Sequence, residues 1–230
     1  MAQHVVGDRL DIVRINIITA GQPGMRACTA IDGDGCSRAG AVQRPLSQVV
    51  TVGAGIARRN DDVDDVLLEF GREVVRESNR LGIIIDMAHA NHETMMDILE
   101  LSEHPVIFSH GGVREYTDHD RAVTDDEIRA IAAQGGVIGI WPHGRHISDV
   151  AEMVDYIEHV IKVGGVDHVG IGSDLRGISR YVAGFDEEAR FHAIGSELLN
   201  REYSAEDVGK VMGGNFFRVW QAVTGEYVEP

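Results

Sequence analysis

From about residue 64 onward the chain alternates amphipathic helical stretches with short apolar runs, and this alternation limits its folds more tightly than any other feature. Parallel strands cannot be joined by tight hairpins; they need a crossover, usually a helix, so a repeating strand–helix pattern specifies a parallel sheet covered by helices. Leu67, Phe70, Val74 and Leu81 recur at helical spacing and predict a helix whose apolar stripe faces the sheet, ending at Leu81-Gly82. Strands are predicted over residues 83–88, 105–109, 136–141 and 168–173, because each is a short, continuously apolar run bounded by turn residues. Between them, Asn91 is placed to cap a helix carrying Met95, Ile98 and Leu99. Thr124 and Glu127 form a capping box before Ile128 and Ile131. Further helices are expected over residues 150–163, 191–200 and 205–220, the last broken by Gly213-Gly214.

Residues 1 to about 62 differ in character. Short apolar runs, Ile15 to Ile18 and Val49 to Val52, stand among glycine clusters without a sustained helical period. Val52-Gly53-Ala54-Gly55 lacks the third glycine of a dinucleotide loop and carries Arg58 in its place, and Asp32-Gly33-Asp34-Gly35 lacks the glutamate of a calcium loop; both are taken as turns. Cys28 and Cys36 make neither a disulfide framework nor a four-cysteine zinc site and are taken as reduced thiols. The 230 residues carry a formal net charge of −16, which disfavours attraction to nucleic-acid phosphates or anionic lipid. Asp8, Arg9, Asp11 and Arg14 interrupt any secretory apolar run, and no stretch approaches about 18 apolar residues, so a cytoplasmic protein without membrane insertion is expected.

In a parallel α/β sheet or barrel, ligands bind at the carboxyl ends of the strands, where loops and helix N-termini converge. Successive predicted strand ends carry His89, His110, the Trp141-Pro142-His143 turn and Asp174. Imidazole and carboxylate are the donor set of zinc and related divalent ions, so His89, His110 and Asp174 are the candidate ligands, with His143 ambiguous. Each alone could be scaffold; histidines on neighbouring strands with an aspartate on a later one favour a site. His92, His104, His119, His146, His159, His168 and His192 fall in helices, loops or strand starts and are assigned solvated or capping roles. Arg121, in the loop after His110, offers a planar fork suited to a substrate carboxylate.

The runs Phe70-Gly71-Arg72-Glu73-Val74-Val75, Asn79-Arg80-Leu81-Gly82, Asp86-Met87-Ala88-His89, Pro105 to His110, Arg121 to Asp125, Gly135 to Gly139, Val169 to Asp174 and Gly213 to Val219 resemble, in order and spacing, the membrane (renal-type) dipeptidase family over about residues 66–223. The resemblance implies a TIM-type (β/α)8 barrel with a two-zinc site that hydrolyses dipeptides. By the same resemblance His89 and His110 are zinc ligands, Arg121 holds the substrate carboxylate, and Asp174 sits beside the metals as the catalytic group handling the proton of the attacking water. The family's His-x-Asp pair and bridging glutamate have no counterpart in residues 1–65, where His4 and Asp8 have the wrong spacing. Residues 1–65 are too few for four βα units, so a partial barrel over residues 66–230 is expected, preceded by a divergent segment. Arg176 and Ala122 stand where the family commonly has an acidic residue and asparagine.

The expected function is therefore a zinc-dependent dipeptidase acting on small dipeptides. The competing reading is a non-catalytic homologue that binds a partner; a different barrel hydrolase such as a lactonase suits the Arg121 loop less well. A barrel lacking some of its strands exposes strand edges, which predicts a homodimer.

Overall fold

A computed structural model describes residues 15–19, 48–52, 69–175, 177–183, 185 and 191–225. Cys28, Cys36, the Asp32 and Gly53 turns, His4, Leu67 and Arg176 lie outside the described residues. The elements, in chain order, are β1 Ile15–Thr19, β2 Gln48–Val52, α1 Glu69–Leu81, β3 Ile84–Asp86, α2 His92–Leu101, β4 Ile107–Val113, β5 Ala122–Val123, α3 Asp125–Ala133, β6 Val137–Ile140, α4 Val150–Gly164, β7 Val169–Ile171, α5 His192–Asn200, α6 Ala205–Gly209 and α7 Asn215–Thr224. A single π-helical turn, Lys210–Gly214, joins α6 to α7, with Gly213 at φ 153° where a side chain would be strained.

The fold is α/β, built on a largely parallel sheet in the order β1-β2-β3-β4-β6-β7, with the short β5 paired to β4. β2 to β7 run parallel; β1 alone is antiparallel, paired to β2 from Ile15↔Val52 to Thr19↔Gln48. The two apolar runs of the N-terminal region are thus strands of the same sheet, β2 lying beside β3 with Val50 opposite Ile85.

Alternation along the strands sends neighbouring residues to opposite faces, and both faces are covered. Ile85, Phe108 and Ile138 join the large core formed with α2, α3, α4 and α5, where Met95, Ile98, Ile128, Ile131, Met153 and Ile157 are all buried. Ile84, Ile107 and Val137 instead meet Val219 and Val223 of α7 in a second, smaller core. The next residues along this second face, Asp86 and Ser109, line a cavity of about 820 Å3.

The predicted caps form as expected. Asn91 accepts the Thr94 amide at 2.9 Å, and Thr124 and Glu127 exchange both bonds of the capping box. The α1 stripe needs correction. Phe70 and Leu81 are 40% and 53% exposed, and the buried face is Gly71, Val75, Ser78 and Asn79. Polar Asn79 is buried because its side chain serves hydrogen bonds, donating to the Leu101 carbonyl and accepting from the Ser102 hydroxyl. Hydropathy alone cannot anticipate such uses.

Candidate metal and carboxylate site

The cavity is lined in part by His89, His110 and Asp174. Two backbone devices place them. β3 ends at Asp86, and His89 lies three residues on, in a turn where its own φ is +76°. Asp174 follows β7 by three residues and also takes a left-handed backbone, φ +43°. Two of the three non-glycine residues with positive φ among the described residues are therefore in this site, an unfavourable conformation of the kind that concentrates at functional positions.

His110 is not at a strand end. β4 runs on to Val113, and between the pairs Phe108↔Ile138 and Gly111↔Ile140 it carries one residue more than β6, a β-bulge at Ser109-His110. The bulge overrides strict alternation, so the adjacent residues Ser109 and His110 both line the cavity. Glycines make it possible: a methyl group on Gly139 or Gly172 would run into the Ser109 carbonyl. The extension of β4 also holds Arg121 in place. Gly112 donates its amide to the Arg121 carbonyl at 3.0 Å, and β5 starts at the next residue.

The side chains converge. The Nε2 atoms of His89 and His110 are 3.3 Å apart. Arg121 Nη2 is 2.8 Å from His110 Nε2, its guanidinium lies 5.3 Å from the centre of the Trp141 ring, and its Nε is buried without a hydrogen-bond partner. Asp174 Oδ2 is 3.8 Å from His110 Nε2. Burial, with Arg121 and His110 adding repulsion, lowers the His89 pKa to about 4, and burial lowers that of His110 against the opposing pull of Asp174. At neutral pH both imidazoles are thus neutral, the state a metal ligand needs.

Two ligands bound to one tetrahedral ion at about 2.0–2.1 Å have nitrogens about 3.3 Å apart, the separation His89 and His110 show. The pair therefore fits a divalent ion. It does not by itself complete a site: among the described residues, no three His, Cys, Asp or Glu side chains are arranged to hold one. Asp174 stands about half an ångström farther from His110 than two ligands of one ion require.

The other histidines divide. His92 bonds Glu127 Oε1 at 2.9 Å, His159 bonds Asp125 Oδ1 at 2.7 Å, and His168 donates to the Gly136 carbonyl, all structural. His119 accepts the Arg121 amide at 3.0 Å, so it helps shape the Arg121 loop. The ambiguous His143 packs at 4.7 Å between ring centroids on Trp141 and at 4.8 Å on His146, and Trp141 is 6.2 Å from His110. Asp86 and Ser109, which the sequence pattern did not single out, prove to be part of the site. Asp86 is the one charged residue in an otherwise apolar strand, and that was its only visible signal.

A parallel α/β sheet with paired imidazoles, one past the end of β3 and one on the bulge of β4, beside an arginine fork defines a metallohydrolase-like class. The chain belongs to the membrane dipeptidase family (peptidase family M19), whose model matches residues 50–227. It is 34% identical over 166 residues to an uncharacterized dipeptidase of Schizosaccharomyces pombe, an alignment covering 69% of this chain and 40% of that protein. Among solved structures, an amidohydrolase from Pseudomonas aeruginosa matches with a TM-score of 0.70 at 26% identity, covering 79% of this chain and 66% of that one. A metallopeptidase from Rhodobacter sphaeroides, liganded with a phosphinate mimic of the dipeptide L-Ala-D-Ala, matches with a TM-score of 0.66 at 26% identity, covering 70% and 48%. The chain thus spans about two fifths of the length of the Schizosaccharomyces pombe relative. Among the described residues no helix is long and apolar enough to cross a membrane.

Proposed function

We propose that this chain is a metal-dependent dipeptide hydrolase, a reading carried by the 3.3 Å approach of two neutral imidazoles beside a buried arginine with an unused donor. His89 and His110 would hold a zinc ion. Zinc supplies a Lewis acid that acidifies water and polarises the scissile carbonyl. The remaining chemistry belongs to the chain's own side chains.

Arg121 binds the free carboxylate of the dipeptide. Its guanidinium stays charged, is backed by the Trp141 face, and keeps a buried Nε–H without a partner, which a carboxylate would satisfy. Arg121 Nη2 lies 2.8 Å from His110 Nε2, so the fork stands beside the pair that would hold the ion. Asp174 takes the proton of the attacking water, a role suited to a carboxylate held beside the paired imidazoles. The family supports the hydrolase class, and the dipeptide mimic bound by the Rhodobacter relative supports the substrate class. The protein is further proposed to act as a cytoplasmic homodimer.

The test is metal content after purification without added metal, read beside hydrolysis of a mixed dipeptide panel. His110→Ala should remove metal and turnover together. Zinc-loaded protein that cleaves no dipeptide, with metal content unchanged in His110→Ala, would overturn this reading and leave a non-catalytic binding protein.

A further inference from the structure

We infer that Asp86 is a positioning residue for the site, acting through Ser109 to fix which nitrogen of His110 carries its proton; the inference rests on the proposed metal role of His110. The hydrogen bonds form a chain whose direction is set from both ends. At one end, Asp86 is only 3% exposed, and its Oδ1 accepts two backbone amides, from Ala88 at 3.0 Å and from Ser109 at 2.9 Å. Its Oδ2 receives the Ser109 hydroxyl at 2.6 Å. A serine has one proton to give. Having given it to Asp86, Ser109 Oγ can only accept from His110 Nδ1, 2.8 Å away. At the other end, Arg121 Nη2 lies 2.8 Å from His110 Nε2, and a guanidinium has no acceptor, so Nε2 must present a lone pair. Both ends require the same tautomer, with Nδ1 protonated and the Nε2 lone pair facing His89 and the cavity.

The geometry explains two features that packing leaves unaccounted for. One is a buried aspartate at the end of an apolar strand, in the middle of a sheet. The other is the β-bulge, which turns Ser109 and His110 to the same side so that adjacent residues can share a hydrogen bond. Outer partners of this kind set the tautomer and orientation of metal-binding histidines, and their loss typically costs about 10–100-fold in metal affinity.

The chain predicts an unusual outcome for an isosteric change. In Asp86→Asn the side-chain oxygen is retained by the two backbone amides, and the new NH2 group faces Ser109 as a donor. Ser109 must then accept from Asn and give its proton to His110 Nδ1, which moves the imidazole proton to Nε2. Two-bond 15N–1H correlation spectra of the metal-free full chain at neutral pH read this tautomer directly. The expected result is Nδ1–H in the wild type and Nε2–H in Asp86→Asn. Zinc affinity, measured with zinc chloride against a chromophoric chelator, is expected to fall about 10–100-fold in Asp86→Asn and Ser109→Ala, and to recover in Ser109→Thr. Ser109→Ala carries the test if Asp86→Asn does not fold. A wild-type ring protonated at Nε2, or folded variants that bind zinc as the wild type does, would overturn the inference. If the wild type itself binds no zinc while the tautomer still reverses in Asp86→Asn, the positioning chain stands and the metal reading fails.

Discussion

At the residue scale, Arg121 and His110 are separable by their kinetic consequences. A guanidinium that binds the substrate carboxylate in both ground and transition states contributes uniform binding, so its loss raises KM and leaves kcat nearly unchanged. Arg121→Ala should lower kcat/KM about 10–100-fold, the range for a charge-assisted hydrogen bond of about 1.5–3 kcal/mol. Arg121→Lys should recover only part of this, since a point charge does not replace a planar fork. Steady-state kinetics on a dipeptide and on its C-terminal amide check both. Equal losses on the two substrates would remove Arg121 from carboxylate binding. Of these residues, His89, His110, Arg121 and Asp174 were legible because their types announce chemistry and fall near strand ends. Asp86 and Ser109 were not, because only their shared hydrogen bonds distinguish them from scaffold.

At the scale of elements, the bulge in β4 makes a stability prediction. Gly139→Ala would drive its methyl into the Ser109 carbonyl, and backbone on both sides leaves little room to relax. The expected cost is about 1–3 kcal/mol, the range for overpacking, accompanied by loosened metal binding because His110 shares the bulge. Chemical denaturation and zinc titration measure the two effects. A second prediction concerns the contact between α3 and α4. His159, 9% exposed on α4, holds Asp125 at the start of α3, and this bond together with Arg129 sets the Asp125 pKa below its ordinary value. A carboxylate with a depressed folded pKa adds stability above its unfolded value of about 3.9 and loses it as pH falls through the folded one. Asp125→Asn should therefore cost about 0.5–1 kcal/mol at pH 7, the range for a partly exposed pair, with the difference from wild type closing under more acidic conditions. Parallel melts whose separation does not narrow as pH falls below the unfolded value would contradict it. The bulge itself was not visible in advance. Residues 105–109 read as an ordinary strand because the extra residue is defined by what pairs opposite it.

For the whole molecule, the described sheet is open. β7 pairs only with β6 among the described residues, and an unpaired strand edge is a template for pairing with another chain. A second copy covering that edge would give the expected homodimer, and light scattering across the micromolar range should show twice the 25.1 kDa chain mass. A monomer throughout would refute it. The two cores show why the central fold was readable. Helix caps, strand runs and the Gly213-Gly214 break are local, so β3, β4, β6, β7 and the helices between them follow from the hydrophobic period and turn chemistry.

What the sequence determined by itself was the order of the main strands and helices from α1 onward, two of the helix caps, and which residue types could bind a metal and a carboxylate. These are properties of segments a few residues long. Tertiary structure decided that β1 runs antiparallel to β2 and that α7 covers the second face of the sheet. It also decided that Ser109 and His110 turn the same way, and that the two imidazoles meet at 3.3 Å. The physical reason is that pairing register, close backbone approach at Gly139 and Gly172, and hydrogen-bond direction from Asp86 to Arg121 depend on residues far apart in the chain. No local pattern encodes the distance between them.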